Sequence, residues 1–290
     1  MIYQLRHTTR YDYAATVTLC HSEARMLPRA LPWQHCEPSE ISIVPTPATR
    51  VQREDPFGNQ LLYFSLEEPH VALEVSVATR LESGPRPAPV DSRLGWRESL
   101  ALPPLSDPEA LAVRMMTLDS AFVRRSQALA DYARPSFREG GSALEGVLDL
   151  NRRVFEEFTY DPGFTTVATP LDEVLRSRRG VCQDFAHLMI GCLRSLGFAA
   201  RYVSGYLETM PPPGEPRLIG ADASHAWLAV YLPGSGWIEL DPTNGSLPSE
   251  QHLINAWGRD YADVAPLKGV MSGGGEQRLT VAVDVEPLEP

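Results

Sequence analysis

The segment RRGVCQDFAHLMIGCLRSLG, residues 178–197, raises the question that decides the fold of this chain. A cysteine follows a glycine and a β-branched residue, and the residues after it repeat at helical spacing. The positions that share one stripe of this helix are Cys182, Phe185, Met189, Cys192, Leu193 and Leu196, and Gly197 is a typical C-terminal stop. The Cys182 thiol is therefore either a small buried hydrophobe or a group activated by the unpaired N–H groups of a helix start.

The overall composition is that of an ordinary globular protein. The chain has 290 residues, of which 43% are hydrophobic and 22% are charged, and this length is enough for about two domains. No segment approaches the ~18 consecutive apolar residues of a membrane span. The first residues, MIYQLRHTTRYDY, lack the apolar core of a secretory signal. We therefore expect a cytoplasmic protein that does not bind a membrane.

Charge and cysteine content exclude several classes of function. The net charge is −11 and no basic run is longer than two residues, so we expect no binding to nucleic acid. The four cysteines, Cys20, Cys36, Cys182 and Cys192, include no C-x-x-C pair. Without close pairs or histidines at ligand spacing, they predict free thiols rather than a disulfide framework or a structural zinc site. We expect no cofactor and no bound metal.

Strand patterns dominate roughly the first 85 residues. The segment VALEVSVATRLE, residues 71–82, alternates strictly and predicts one buried face, formed by Val71, Leu73, Val75, Val77 and Leu81. Before it, VQREDPFGNQLLYFSLEEP predicts two strands around a turn at residues 56–59. The proline-rich segment SGPRPAPVDSR, residues 83–93, then predicts a linker.

Helix signals follow the linker. The sequence SDPE at 106–109 predicts a helix capped by Ser106, and SALE at 142–145 predicts a second capped helix. A short helix is expected to begin at Thr169–Pro170, ahead of the helix that carries Cys182.

The last third of the chain returns to strand patterns. Strands are predicted at 200–208, 225–232 and 236–243, and residues 278–286 form another, with Leu279, Val281, Val283 and Val285 facing inward. This order indicates an α+β fold. We predict an N-terminal β-sandwich-like domain (1–100), a helical connector (101–140), a catalytic core (141–270) and a C-terminal strand that packs back on the body (271–290).

A nucleophilic cysteine needs a base within hydrogen-bond reach and a group that orients that base. His187 lies five positions after Cys182, about 140° round the helix, and is expected to be a structural or surface histidine. His225 begins a strand 43 residues after Cys182 and is the better candidate. The next strand carries Asp241, which would orient the base.

Strand parity tests whether His225 can meet Asp241. If Val230 pairs with Ile238 and Leu228 with Leu240, the apolar sides match and His225 and Asp241 become diagonal neighbours on the other face. This register needs a five-residue connection from Leu232 to Gly236 or a bulge. A regular four-residue loop would put the two side chains on opposite faces and exclude the assignment.

Taken together, these residues resemble a known family. The blocks RRGVCQDFAHLMIGCLRSLGFAARYVSGY and DASHAWLAVYLPGSGWIELDPTN look like the core of the bacterial transglutaminase-like proteins. The likeness reaches HTTRYDY and EDPFGNQLLYFSLEEPH near the start and WGRDYADVAPLKGV near the end, so it covers nearly the whole chain. It implies a papain-like core, in which the helix carrying the cysteine packs on an antiparallel sheet, behind an N-terminal β-rich domain. By position in the motif, Cys182 would be the nucleophile, His225 the base and Asp241 the orienting acid.

The resemblance implies acyl transfer at an amide bond of a peptide or protein substrate, with either water or an amine as the acceptor. The backbone N–H of Cys182 is the first candidate donor to the oxyanion, and Gln183 and Tyr160 are candidates for the second. Asp184 is expected to serve the helix dipole. Residues 211–224 are either a lid or an ordinary loop, and Asp260 and Tyr261 are candidates to reach the cleft.

Two other functions remain open. One is a non-catalytic peptide-binding protein that keeps the fold. The other is a metal-dependent hydrolase in which Cys182, His225 and Asp241 are the ligands, since catalytic zinc takes three protein ligands. Neither the oligomeric state nor the role of the N-terminal domain follows from the sequence.

Overall fold

The order of strands and helices is β-rich, then helical, then β-rich again. A computed structural model describes residues 1–92, 94–166, 169–208 and 224–288. The strands are β1 (Ile2–Ala24), β2 (Gln34–Cys36), β3 (Glu40–Val44), β4 (Thr49–Glu54), β5 (Gln60–Leu66), β6 (His70–Ser83), β7 (Thr159–Tyr160), β8 (Arg179–Gly180), β9 (Ala200–Leu207), β10 (Ser224–Leu232), β11 (Gly236–Leu240), β12 (His252–Gly258), β13 (Leu267–Gly273) and β14 (Gln277–Leu288). The helices are α1 (Ala110–Met115), α2 (Gln127–Ala133), α3 (Ala143–Glu157), α4 (Leu171–Ser177), α5 (Cys182–Leu196) and α6 (Tyr261–Val264).

One long strand, β1, organises the N-terminal sheet. On one side β5 and β6 run end to end and antiparallel to it, and on the other side β13 and β14 do the same. β2 and β3 extend the sheet beyond β6, and β4 extends it beyond β5. The end of the chain thus returns to the strand with which the chain begins. The domain boundaries at 100, 140 and 270 stay predictions.

The alternation in β6 predicts its buried face except at one end. Leu73, Val75, Val77 and Leu81 are each at most 2% exposed, whereas Val71 is 59% exposed. The prediction for Val71 is wrong because the pairing between β6 and β1 is irregular at this end of the strand. The irregularity breaks the period-two pattern, so the first apolar residue faces solvent.

The alternation in β14 correctly predicts the burial of only two of four positions. Val283 and Val285 are buried in a cluster with Tyr3 of β1, Tyr206 of β9 and Leu253 of β12. Leu279 and Val281 are exposed, and the prediction that they face inward is wrong. They lie on the part of β14 outside that cluster, so alternation alone does not make them buried.

The cysteine helix packs on an antiparallel sheet, as predicted. α5 contacts β10 and β9 of a four-stranded sheet with the order β11-β10-β9-β12. Eleven of its 15 residues are buried, since α2 and α4 cover its other sides. The α+β fold class is confirmed, with the helix that carries Cys182 at the centre of the largest apolar core.

Local capping explains where two of the helices begin. The Ser142 hydroxyl accepts from the Glu145 N–H at 3.2 Å, and the Glu145 carboxylate accepts from the Ser142 N–H at 3.1 Å, so the predicted capping box is confirmed. α4 begins at Leu171, directly after Pro170, which also agrees with the prediction.

The predicted cap at Ser106 is wrong. α1 begins only at Ala110, and its N-cap residue makes no side-chain hydrogen bond to the helix. The Asp107 carboxylate accepts from the Glu109 N–H at 2.8 Å instead. This local bond forms a turn, and it competes with the helix start that the motif predicted.

Among the described residues, no helix is long and apolar enough to cross a bilayer. The predicted cytoplasmic location stays a prediction.

Candidate active site

The Cys182 thiol stands at the first residue of α5. The N–H groups of the first helical turn have no partner within the helix, so this end carries a partial positive charge. Asp184 reaches back from the same turn, and its carboxylate accepts from the Val181 N–H at 2.8 Å and from the Thr165 hydroxyl at 2.6 Å. Burial raises the pKa of Asp184 despite these two hydrogen bonds. As expected, Asp184 serves the helix start.

The approach to Cys182 is fixed by a short strand pair. β7 and β8 pair in parallel, which places Tyr160 beside Gly180, two residues before the cysteine. A Cβ on Gly180 would lie 2.8 Å from the Cβ of Asp184, so the chain needs glycine to enter the helix this closely. Burial raises the pKa of Tyr160, and the charge of Cys182 adds to the effect. Tyr160 is therefore near the thiol, and its role as an oxyanion donor stays a prediction.

The hairpin that follows has the predicted register. Val230 pairs with Ile238 and Leu228 with Leu240, and the connection runs from Leu232 to Gly236. His225 pairs with Gly205 of β9, at the start of β10. The excluded case, a regular four-residue loop, does not occur. Both members of the predicted base–acid pair therefore lie on one face.

His225 and Asp241 are directly hydrogen-bonded. The His225 Nε2 lies 2.8 Å from the Asp241 Oδ2. Burial disfavours a charge on the imidazole, but the hydrogen bond with Asp241 and the interaction with Cys182 outweigh it and raise the pKa of His225 to about 9. Because Nε2 is held by the carboxylate, Nδ1 is the ring nitrogen left for the thiol. The structure thus brings Cys182, His225 and Asp241 together.

Asp241 accepts hydrogen bonds from several groups besides His225. Its side chain is fully buried, and Oδ2 also accepts from the Asn244 amide at 2.7 Å and lies 3.1 Å from the His252 Nε2. Oδ1 accepts from the backbone N–H groups of Thr243 and Asn244. Burial by itself raises the pKa of Asp241, but the bonds to His225 and His252 bring it far below its usual range.

Sequence analysis missed His252 and Asn244. Asn244 follows Asp241 in the segment DPTN, where a turn residue that bonds back to an aspartate is common, so a local signal was present. His252 begins β12, which pairs with β9 on the side away from β10. Only the order of the strands in the sheet brings His252 to Asp241.

The His225 ring is also held by contacts with neighbouring side chains. The Trp227 ring stacks on the ring of His225, with 5.8 Å between centroids, and its indole N–H donates to Glu239 at 2.9 Å. Glu239 in turn accepts from Arg86 at 3.3 Å, and Arg86 also donates to the main-chain carbonyl of His252. Arg86 lies in the segment predicted as a linker. This segment is therefore fastened to the back of the site.

His187 is buried among aromatic rings away from this network. Its Nε2 accepts from the Tyr261 N–H at 3.1 Å, and the Phe122 ring stacks on it. The structural role predicted for His187 is confirmed. Asp260 does not reach a cleft: it is 1% exposed and accepts from the backbone N–H groups of Phe122 and Ala262. The predicted lid or loop at 211–224 lies almost entirely outside the described residues.

The protonation of the side chains around Asp241 does not favour a bound metal. Ligand atoms of His225, Asp241 and His252 lie within 4.8 Å of one another. A metal would need an Nε2 lone pair from each ring. The Ser249 N–H donates to the His252 Nδ1 at 3.2 Å, however, so the ring proton is on Nε2 and points to Asp241. The arrangement favours a hydrogen-bonded network.

Comparison with known proteins gives matches over both parts of the chain. Residues 3–82 match the model of the bacterial transglutaminase-like N-terminal region, and residues 130–242 match that of the transglutaminase-like superfamily. The second range contains Cys182, His225 and Asp241.

Similar proteins span the whole chain as well. An uncharacterized protein of Mycobacterium tuberculosis strain H37Rv is 40% identical over 293 residues, which are 99% of this chain and 93% of that protein. The protein-glutamine gamma-glutamyltransferase of Pseudomonas aeruginosa is 29% identical over 223 residues, which are 75% of this chain and 29% of that protein. A crystal structure described as a "Putative Cysteine Protease from Cytophaga hutchinsonii" has the same fold, with a TM-score of 0.76 at 21% identity over 100% of this chain and 91% of that chain. With matches to both characteristic regions over more than half of its length, the chain belongs to the family of bacterial transglutaminase-like proteins.

Proposed function

We propose that this protein catalyses acyl transfer at amide bonds through a thioester on Cys182. The observation that carries the proposal is the 2.8 Å hydrogen bond from the His225 ring to the buried Asp241 carboxylate. It holds the imidazole protonated and leaves its other nitrogen for the thiol. A neighbouring imidazolium and a helix start both favour a thiolate, so the resting pair is a thiolate and an imidazolium.

In the first half of the reaction the Cys182 thiolate attacks the carbonyl carbon, and the C=O π electrons move to the oxygen. The free backbone N–H of Cys182 donates to this oxyanion. The C–N bond then breaks while the proton on His225 passes to the leaving amine, and the acyl group remains on sulfur as a thioester.

In the second half a nucleophile replaces the sulfur. Water or a second amine gives its proton to His225 and attacks the thioester carbonyl. The S–C bond breaks, and the thiolate and imidazolium are restored. With water the outcome is hydrolysis of a peptide or side-chain amide, and with an amine it is transamidation.

The substrate is a peptide or protein. The name of the Pseudomonas relative, a protein-glutamine gamma-glutamyltransferase, supports a glutamine side chain as the acyl donor. This chain corresponds to only 29% of that relative, so its own substrate is tested separately.

The first experiment is brief, substoichiometric labelling with iodoacetamide near neutral pH, followed by peptide mapping. We expect selective labelling of Cys182, because its thiolate is the reactive form. The other three cysteines, Cys20, Cys36 and Cys192, serve as internal controls. Equal labelling of all four would refute the proposed nucleophile.

The second experiment distinguishes the two acceptors. A glutamine-containing peptide and a fluorescent primary amine are incubated with the protein, and the products are identified by mass spectrometry. Amine incorporation identifies transamidation, whereas a loss of ammonia or a peptide cut without incorporation identifies hydrolysis. Cys182→Ala is expected to form neither product while keeping its circular dichroism spectrum, and turnover by this variant would contradict the mechanism.

A further inference from the structure

His252 is a second imidazole on the carboxylate that holds the base. Its Nε2 lies 3.1 Å from the Asp241 Oδ2, the same oxygen that binds His225. The residue is 5% exposed, and nothing in the acyl-transfer steps uses it. A buried imidazole at this position therefore needs an explanation of its own.

The protonation state of His252 follows from its other nitrogen. A backbone N–H can only donate, and the Ser249 N–H points at the His252 Nδ1 at 3.2 Å. Nδ1 is therefore the acceptor, and the single ring proton is on Nε2. His252 is a neutral donor to Asp241, in contrast to the charged His225.

The position of the His252 ring is fixed on two sides. The edge of Trp227 contacts it at an interplanar angle of 82°, with 5.4 Å between the centroids. Arg86 binds the main-chain carbonyl of His252 from the linker segment. A donor held this firmly can define where the Asp241 carboxylate points.

A fully buried carboxylate stays ionised only if donors replace the water it has lost. The Asp241 Oδ2 has three donors: His225, His252 and Asn244. His225 gives a proton in the first proposed half-reaction and receives one in the second, so its hydrogen bond to Asp241 changes in strength during turnover. His252 carries its donor proton throughout.

We propose that His252 is a positioning residue that keeps the Asp241 carboxylate ionised and aimed at the base throughout turnover. This inference rests on the proposed function, because it assigns His252 to the same site. It acts through Asp241, and His252 touches neither the substrate nor the thiol.

The test is the rate of Cys182 alkylation by iodoacetamide as a function of pH, which needs no substrate. His252→Leu removes the donor, and His252→Asn keeps a polar group that is too short to reach Asp241. His252→Gln places an amide N–H near the original Nε2. His70→Leu is the matched control, because His70 is also a buried histidine but lies in the N-terminal sheet, where its Nδ1 bonds to the Glu68 carbonyl.

We expect His252→Leu and His252→Asn to slow alkylation at pH 7 by about ten-fold, since a hydrogen bond to a charged group is lost. Their alkylation profiles should also move to higher pH, toward that of an ordinary thiol. His252→Gln should stay within about three-fold of wild type, and His70→Leu should match wild type. A purely structural role would not shift the pH profile.

Three outcomes would overturn the inference. If all His252 variants keep the wild-type profile, His252 only packs. If His70→Leu slows the reaction as much as His252→Leu, the loss is general destabilisation. If the wild-type Cys182 is no more reactive than the other cysteines, the proposed function fails and the role of His252 fails with it, whereas a reactive wild type with unaffected variants refutes His252 alone.

Discussion

His187 lies on the Cys182 helix and His225 lies beside it, and the two histidines are expected to have opposite charge states. Burial lowers the pKa of His187 to about 4, and the charge of nearby Asp260 offsets this only in part. Burial acts on His225 in the same direction, yet the bond to Asp241 and the interaction with Cys182 raise its pKa to about 9. Each histidine therefore has a buried aspartate near it, but only one becomes a cation.

The difference lies in what the aspartates bind. The Asp260 oxygens accept from the backbone N–H groups of Phe122 and Ala262, and His187 uses its own Nε2 as an acceptor for the Tyr261 N–H. Asp241 instead accepts directly from the His225 ring. A carboxylate that is merely close does not overcome desolvation, whereas a directly hydrogen-bonded one does. A general base in a buried site needs the second arrangement.

The largest expected effect separates the two histidines by reactivity. His225→Gln should slow turnover by about 10³-fold, because no other group in the described part of the chain holds the proton near the thiol. It should slow the alkylation of Cys182 at pH 7 by about 30-fold, because a free thiol with the ordinary pKa of ~8.5 is only about 3% ionised at that pH. His187→Gln should leave both rates within about three-fold of wild type, because its amide oxygen can still accept from Tyr261. Quenched alkylation followed by mass spectrometry measures the alkylation rate, and the peptide and amine assay measures turnover. A comparable loss of rate in His187→Gln would mean that the two sites are coupled through α5.

The next effect separates the two aspartates. Asp241→Asn should slow the alkylation of Cys182 at pH 7 by about 20-fold, since without the carboxylate charge the pKa of His225 falls and the thiol loses its charged partner. Asp260→Asn should leave the rate unchanged and lower the free energy of unfolding by about 1–2 kcal/mol, because the amide NH2 cannot accept from one of the two backbone N–H groups that the carboxylate binds. The alkylation kinetics and the urea unfolding of both variants test whether the two aspartates differ in this way. Equal rates in Asp241→Asn and wild type would show that His225 does not depend on its carboxylate.

Much of this site could be predicted because its signals are local. Cys182 opens a helix that ends at a glycine, and the alternation in the hairpin fixes the register that brings His225 to Asp241. The position of each residue depends on a segment of fewer than about 20 residues. The resemblance to a family added the expected roles, which the geometry alone does not assign.

The rest could not be predicted because it depends on packing between distant segments. β12, which carries His252, is buried on both faces, so its sequence HLINAWG lacks the alternation that marks a half-buried strand. Arg86 lies in a proline-rich segment that predicts a flexible linker, yet its partner Glu239 lies 153 residues away. Val71 and Leu279 fail for the opposite reason: their alternation in the sequence is regular, but the pairing of β6 with β1 is irregular at Val71, and Leu279 lies outside the cluster that buries Val283.

The smallest expected effect is on stability, and it has opposite signs of pH dependence at the two histidines. The folded-state pKa of His225 lies above the ordinary value of 6.5, so its stabilisation is complete below pH 6.5 and is lost as the pH rises to about 9. The folded-state pKa of His187 lies below 6.5, so burial of this histidine does not reduce stability above pH 6.5 but lowers it as the pH falls to about 4. Within each of these pH ranges the folded and unfolded states differ by about one bound proton, which changes the free energy of unfolding by about 1.4 kcal/mol per pH unit.

Urea unfolding of Cys182→Ala, alone and combined with His225→Gln or His187→Gln, across pH 4–9 tests this sign, because the Cys182 thiol interacts with His225 and would otherwise titrate with it. Subtracting each double variant from Cys182→Ala removes the contribution of distant titrating groups. The His225 difference should decline only on the alkaline side of pH 6.5 and the His187 difference only on the acidic side, each by on the order of 3 kcal/mol. If the His225 difference declines on the acidic side instead, burial outweighs the carboxylate at that site too, and His225 is neutral in the resting protein. The proposed ion pair would then be replaced by a neutral Cys–His pair, in which His225 takes the thiol proton only when the substrate arrives.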